Sequence, residues 1–175
     1  MKHIKKYPGL FENFEFQPSS EDSLKVLDDS GVIIFVSGLH HRANDLSVSE
    51  QEEKLKKGLK SNKTIFSFSH SDHGSALNKL KEYPNATVVL FSMGTGYSNK
   101  FAPSINNKSN LFIVEPYPKA SNSVKSAVSL GVPRENVILG GGVGSGKGMI
   151  QGATNTPKEY SGHWPALTFV GKLID

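Results

Sequence analysis

The chain has 175 residues, enough for one domain that buries about 70% of the surface of its unfolded chain. Its 37% hydrophobic and 21% charged residues lie near globular averages and exclude a disordered chain and a coiled coil. The net charge of +4 comes from 20 basic and 16 acidic residues that form no basic stripe, so we expect no nucleic-acid partner.

The absence of cysteine excludes disulfides, thiolate metal ligands and a cysteine nucleophile. No apolar run reaches the roughly 20 residues that a membrane-spanning helix needs. The first residues, MKHIKKYPG, also lack the apolar core of a signal peptide. We therefore expect a soluble, cytoplasmic protein without a membrane span.

Residues 1–30 precede the first strong apolar run, and we expect an N-terminal extension or an edge strand there. Phe14 and Phe16 would share one face of such a strand, because strand side chains alternate with a period of two. No linker interrupts the rest of the chain, so residues 1–175 are predicted to form a single domain.

Five short apolar or β-branched runs predict buried strands, because glycine, proline or polar residues bound each of them. They are Val32–Val36, Thr64–Phe68, Thr87–Phe91, Leu111–Val114 and Val137–Leu139. Helical patterns lie between them, and such alternation is typical of the α/β class. We predict a three-layer α/β/α sandwich around a mainly parallel sheet of about five core strands.

Capping and periodicity predict several of the helices. Ser47 and Glu50 form a capping box ahead of a helix, and an apolar tail after residue 165 predicts a closing helix. A further helix is expected to end at Gly131. Its inner face would carry Val124, Ala127, Val128 and Leu130.

Polar side chains collect where the predicted strands end. Parallel strands bring their carboxyl ends to one edge of a sheet, and ligands bind in the crevice along that edge. Ser92 follows the third strand and Glu115 the fourth, and His163 lies in the last loop. Histidines and an aspartate follow the first two strands: His40, His41, His70, Asp72 and His73.

Three local motifs resemble the α/β-hydrolase superfamily, the fold of lipases and esterases. VIIFVSGL is similar to its oxyanion-loop strand, VVLFSMGTG to its nucleophile turn and SGHWPAL to its histidine loop. The resemblance implies Ser92 as nucleophile and His163 as general base, with an acid between them in the chain, for which Glu115 is the candidate. It also implies an oxyanion hole made of the backbone N–H groups of Leu39 and Met93.

A serine hydroxyl needs an imidazole to take its proton, and the imidazole needs an acceptor that fixes its orientation. The first hypothesis is therefore a small serine hydrolase that cleaves an ester, thioester or amide of a small-molecule or acyl substrate. The alternative is a catalytically inactive binding or assembly protein of the same fold. It rests on Leu90, which stands where the family has a glycine, and on the absence of a carboxylate after the fifth strand.

The candidate residues also have structural interpretations. Ser92 could cap the next helix, His163 could pack on Trp164, and Glu115 could be an ordinary loop charge. His40, His41 and His70 are predicted to line the substrate site.

Two rival functions rest on other groups of residues. The histidines and Asp72 could instead bind zinc or manganese, but their spacing matches no metal signature, so we expect neither metal nor cofactor. Residues 141–148 resemble a phosphate-binding loop, but Gly148 stands where a hydroxyl would bind Mg²⁺. Nucleotide hydrolysis is therefore a weak alternative. The glycine-rich loop of residues 140–148 is instead predicted to form a flap beside the site.

Overall fold

The computed structural model describes residues 31–141 and 150–175. Two predicted features fall largely or wholly outside these ranges. They are the N-terminal extension or edge strand, in residues 1–30, and most of the glycine-rich loop, in residues 140–148.

The described residues form one sheet of six parallel strands. The five predicted strands have the predicted bounds: β1 (Val32–Val36), β2 (Thr64–Phe68), β3 (Thr87–Phe91), β4 (Leu111–Val114) and β5 (Val137–Leu139). The predicted number of strands is wrong by one, because β6 (Thr154–Asn155) pairs with β5. Two polar residues have no apolar pattern, so β6 could not be recognised by hydrophobicity.

Five α-helices lie in the described ranges: α1 (Val48–Lys56), α2 (His73–Glu82), α3 (Ser98–Ser104), α4 (Ser121–Ser129) and α5 (Pro165–Ile174). The predicted capping box is confirmed, because the Ser47 hydroxyl accepts a hydrogen bond from the Glu50 N–H and donates one to its carboxylate. Helix α4 stops before Gly131, whose φ of 107° suits glycine. Leu130 was predicted on the inner face of α4, but it follows the last helical residue and is 48% exposed.

The strands lie in the order β2-β1-β3-β4-β5-β6. Their carboxyl ends meet at one edge, where Val36 pairs with Leu90 and Phe91 with Val114. After β1 the chain passes to β2, on one side of β1 in the sheet, and then to β3, on the other side of β1. Loops that leave in opposite directions open a crevice at such a switch point, so the carboxyl ends of β1 and β3 are the expected place for a ligand.

Alternate residues of the strands belong to two separate apolar clusters. In β1, Ile34 and Val36 belong to the cluster that includes residues of α2, α3 and α4, whereas Ile33 and Phe35 belong to the cluster with residues of α1 and α5. Burying one such side chain contributes about 1.5–3 kcal/mol. Because both faces of the central strands are covered, these strands are apolar throughout rather than alternating.

No helix in residues 31–141 and 150–175 has the length and apolar character needed to cross a membrane.

Candidate functional site

Ser92 stands where β3 turns into a short 3₁₀ helix, Ser92–Tyr97. Its φ is 50°, a left-handed conformation that is uncommon outside glycine and often marks a functional position. Gly94 makes this turn possible, because a Cβ there would lie only 2.7 Å from the Val36 carbonyl oxygen. The tight turn leaves the Ser92 side chain at the carboxyl end of the sheet and partly exposed.

The loop after β1 packs directly against this turn. A Cβ on Gly38 would come within 2.9 Å of Ser92 Cβ and 3.1 Å of a Phe91 ring carbon, so only glycine fits without a shift. The backbone of Gly38 and Leu39 therefore lies beside the Ser92 side chain. This close approach brings together the two segments that were predicted to contribute oxyanion donors.

Glu115 is a buried carboxylate directly after β4. Its φ is 52°, and its side chain is 1% exposed. Burying an ionised carboxylate is costly unless it is hydrogen-bonded. One carboxylate oxygen accepts from the Gly140 N–H, and the other lies 3.1 Å from Nδ1 of His163.

The Glu115 contact determines which nitrogen of His163 carries the proton. A carboxylate only accepts hydrogen bonds, so Nδ1 is the donor, and Nε2 of the neutral ring keeps a lone pair. The imidazole also packs on Phe91 and Trp164, with ring centroids 4.7 and 4.8 Å away, and its side chain is 36% exposed. A partly exposed imidazole therefore lies against the residue that precedes Ser92.

Two glycines bring the histidine loop close to Glu115. A Cβ on Gly140 would overlap the Gly162 carbonyl oxygen, and the Gly162 N–H donates to the Gly140 carbonyl at 2.6 Å. Gly162 has a φ of 124°, which suits glycine. The loop can therefore lie close enough to β5 for His163 to reach Glu115, 48 residues earlier.

The structure thus brings Glu115 and His163 into direct contact and places Phe91, the neighbour of Ser92, on the imidazole. Within the described ranges, the Ser92 hydroxyl makes no hydrogen bond with His163. Hydrogen bonds between a nucleophile and its base are often long in a free enzyme and shorten when substrate binds.

The two predicted oxyanion donors belong to the turn at Ser92 and to the loop after β1 that packs on this turn. Met93 is the second residue of the 3₁₀ helix, and the first N–H groups of a helix have no intrahelical acceptor. The Leu39 N–H has no acceptor in the part of the chain that the structure describes. Both N–H groups are therefore available to a ligand.

Four predicted histidines lie near one another beside the switch point. The rings of His40 and His41 are 3.8 Å apart, and His70 lies 5.7 Å from His40. His73 stacks on Tyr97 at 3.7 Å. His73 also lies beside His70, because its Nδ1 is 3.2 Å from the His70 carbonyl oxygen, and the predicted substrate contacts of His40, His41 and His70 stay a prediction.

His70 donates from Nδ1 to the Gly38 carbonyl at 3.3 Å. Burial lowers the pKa of its imidazole, and the nearby imidazoles of His40, His41 and His73 lower it further, whereas the bond to Gly38 opposes this. No group of three or more histidine, cysteine, aspartate or glutamate side chains in the described ranges has an arrangement that could bind a metal ion. Asp72 instead accepts a hydrogen bond from the Ser75 hydroxyl.

Sequence reasoning missed Gln51. It lies in a charged stretch of α1, EQEEK, which is typical of a solvent-exposed helix face, yet it is fully buried. Its side chain bonds the loop that follows β1. One signal was present in the sequence: Leu55, a core residue of α1, is four positions later and so shares a helix face with Gln51.

The chain was compared with models of protein families, with curated proteins and with solved structures. None of the three comparisons gave a match. The chemistry of the site is therefore inferred from its own atoms.

Proposed function

We propose that this protein is a serine hydrolase with a three-layer, α/β-hydrolase-like architecture, which cleaves an ester, thioester or amide. Ser92 is the nucleophile, His163 the general base and Glu115 the group that orients His163. Support comes first from the bond between Glu115 and Nδ1 of His163, because it leaves Nε2 as the proton acceptor that a serine nucleophile requires.

The first half of the reaction forms an acyl-enzyme. Nε2 of His163 takes the hydroxyl proton as Ser92 Oγ bonds to the carbonyl carbon, and the carbonyl π electrons move onto its oxygen. The N–H groups of Leu39 and Met93 stabilise this oxyanion, and the Glu115 carboxylate stabilises the imidazolium. Collapse of the intermediate expels the alcohol, thiol or amine, which takes the proton from His163.

The second half reverses these roles. Water loses a proton to Nε2 and bonds to the acyl carbon, and Ser92 leaves as the alkoxide and regains a proton from His163. The positive φ values of Ser92 and Glu115 support the assignment, because strained backbone costs about 1–3 kcal/mol per residue and concentrates at functional sites.

A fluorophosphonate probe tests the proposal, because it reacts only with an activated serine. We expect the wild-type protein to be labelled and Ser92→Ala to remain unlabelled. We expect His163→Ala to lose labelling at least 100-fold, as general-base catalysis contributes about 10²–10⁴. Ser129→Ala is the matched control, because among the described residues this hydroxyl bonds only within α4, to the Lys125 carbonyl. Absence of labelling in folded wild-type protein would contradict the proposal.

The second candidate is a catalytically inactive protein that uses the same crevice for binding or assembly. It is favoured by Leu90, which is fully buried at the position where the nucleophile turn of hydrolases carries a glycine. A folded wild-type protein that resists the probe would support this candidate.

A further inference from the structure

We propose that Gln51 and His70 are positioning residues for catalysis, which hold the peptide unit between Gly38 and Leu39 so that the Leu39 N–H faces the carbonyl bound at Ser92. The inference rests on the proposed hydrolase function and deepens it, because it identifies what orients one oxyanion donor. Neither side chain would contact the substrate oxygen itself.

Gln51 holds the two peptide units that flank the unit between Gly38 and Leu39. Its Oε1 accepts from the Gly38 N–H at 2.9 Å, and its Nε2 donates to the carbonyls of Leu39 at 3.0 Å and Leu46 at 2.9 Å. The side chain thus uses both amide protons and its oxygen, and it is fully buried. A buried amide with all its bonds made fixes its partners firmly, since each broken bond would leave an unsatisfied buried group.

His70 fixes the central peptide unit. The Gly38 carbonyl accepts from Nδ1 of His70 at 3.3 Å and from the Ser37 hydroxyl at 3.1 Å. The described peptide bonds are all trans, so the C=O and the N–H of one unit point in opposite directions. The Leu39 N–H therefore points away from the oxygen that His70 and Ser37 hold.

We infer that the Leu39 N–H faces Ser92. The Gly38 backbone already touches the Ser92 turn, and the Leu39 N–H finds no acceptor in the described ranges. Three successive peptide units thus have their orientation set by side chains from α1 and from the 3₁₀ helix after β2 (His70–Asp72). A donor that is oriented before the reaction needs no reorganisation when the oxyanion forms.

Asn136 provides a matched comparison. It is also a buried amide, 8% exposed, and its Nδ2 donates to the carbonyls of Ser109 and Leu111 at 2.8 and 3.1 Å. These bonds lie at the opposite end of the sheet, where β4 and β5 begin. Removing Asn136 therefore removes a similar buried amide without touching the loop after β1.

The experiment compares Gln51→Met with Asn136→Leu in the full-length chain. We expect Gln51→Met to lower kcat for p-nitrophenyl acetate about 10- to 100-fold with KM within threefold, because a misplaced oxyanion donor affects mainly the transition state. Affinity for phenylboronic acid, whose tetrahedral adduct mimics the intermediate, should fall by a similar factor. Asn136→Leu should lose comparable thermal stability while the folded protein keeps kcat within twofold.

His70→Leu gives a second test on a partly exposed side chain, and it decides the outcome if Gln51→Met does not fold. We expect it to lower kcat about fivefold at unchanged KM, since the Ser37 bond to Gly38 remains. His70→Gln, which can still donate to the Gly38 carbonyl, should recover at least half of the wild-type kcat.

Three outcomes would overturn the inference. The first is kcat within twofold of wild type in both Gln51→Met and His70→Leu. The second is an equal loss of kcat in Asn136→Leu. The third is a wild-type protein that neither hydrolyses the ester nor reacts with the fluorophosphonate, which would refute the hydrolase itself. An active wild type with unaffected variants would refute only the positioning roles.

Discussion

Glu115, at the carboxyl ends of the strands, and Asp175, beside the segment that leads into β2, both accept backbone hydrogen bonds. Asp175 accepts from the N–H groups of Lys60 and Ser61 and from the Ser61 hydroxyl, and it lies 3.3 Å from the Lys63 ammonium. The hydrogen bond from the Ser61 N–H, and next in size the one from its hydroxyl, hold the pKa of the Asp175 carboxyl well below its usual range. Glu115 instead meets an imidazole and one N–H group.

The difference between the two carboxylates lies in what their partners can do. The partners of Asp175 are the Lys63 ammonium, a hydroxyl and backbone N–H groups, which donate to it and only join the end of α5 to the chain before β2. The imidazole of His163 has a second ring nitrogen that can accept a proton while Nδ1 is bonded to Glu115, so the bond of Glu115 can support catalysis. Backbone strain is found at Glu115 but not at Asp175. In the described ranges the non-glycine residues with positive φ are Ser92 and Glu115, and each directly follows a strand.

The largest effect should come from Glu115→Gln. Glutamine has the same shape but only one acceptor oxygen, and its amide protons favour an unprotonated Nδ1 on His163, which moves the ring proton to Nε2. We expect kcat to fall about 10³- to 10⁴-fold with little change in unfolding temperature, as measured by ester hydrolysis and thermal denaturation. Asp175→Asn is the control and should keep kcat. If Glu115→Gln kept more than a tenth of wild-type kcat, Glu115 would be no more important for the reaction than Asp175.

Gly140→Ala should have the next largest effect. The new methyl group would overlap the Gly162 carbonyl and lie 3.0 Å from both Ala166 Cβ and Glu115 Oε1. We expect a loss of about 3 kcal/mol in the free energy of unfolding, together with a lower kcat because the histidine loop must move. Urea denaturation and ester hydrolysis measure the two effects.

Gly31→Ala is the matched control at the amino end of β1, where a Cβ would meet no atom of the described residues within 4 Å. Its free energy of unfolding should change by no more than about 0.5 kcal/mol. Equal effects of the two substitutions would show that the carboxyl end is packed no more tightly than the amino end.

The smallest effect should come from Asp175→Asn. We expect a loss of about 1 kcal/mol at pH 7, since the bonds to Ser61 and Lys63 are partly screened by water. Because the folded pKa of Asp175 is lowered, its stabilisation is complete above the unfolded value near pH 4 and disappears as the pH falls further. Denaturation curves of both proteins from pH 7 to pH 2 should therefore converge at low pH. A constant difference would show that Asp175 acts by packing rather than by charge.

The strands could be predicted closely because buried parallel strands are short apolar runs bounded by polar residues or turns. Strand β6 could not, since Thr154 and Asn155 contribute backbone pairing without an apolar pattern. The start of α2 was also missed. The segment His70–Asp72 forms a 3₁₀ helix, and α2 begins at His73 without a side-chain cap.

The contact between Glu115 and His163 was implied by the resemblance to the α/β-hydrolase superfamily, and the structure has a hydrogen bond there. Their roles in catalysis stay predictions until they are measured. The buried position of Gln51 was not predicted, because its neighbours in sequence are charged. Helical periodicity with Leu55 indicates the face of α1 on which Gln51 lies. The bonds of its amide depend on the packing of α1 against the loop after β1, which periodicity does not describe.

The left-handed backbone at Ser92 restricts what evolution or an engineer can place there. A branched residue such as threonine is strongly disfavoured at this φ, whereas cysteine adds a single γ atom, as serine does. Since the chain has no other cysteine, Ser92→Cys would introduce the only sulfhydryl of the molecule. A spin label or fluorophore attached there would report on the crevice alone, without any background from the rest of the protein.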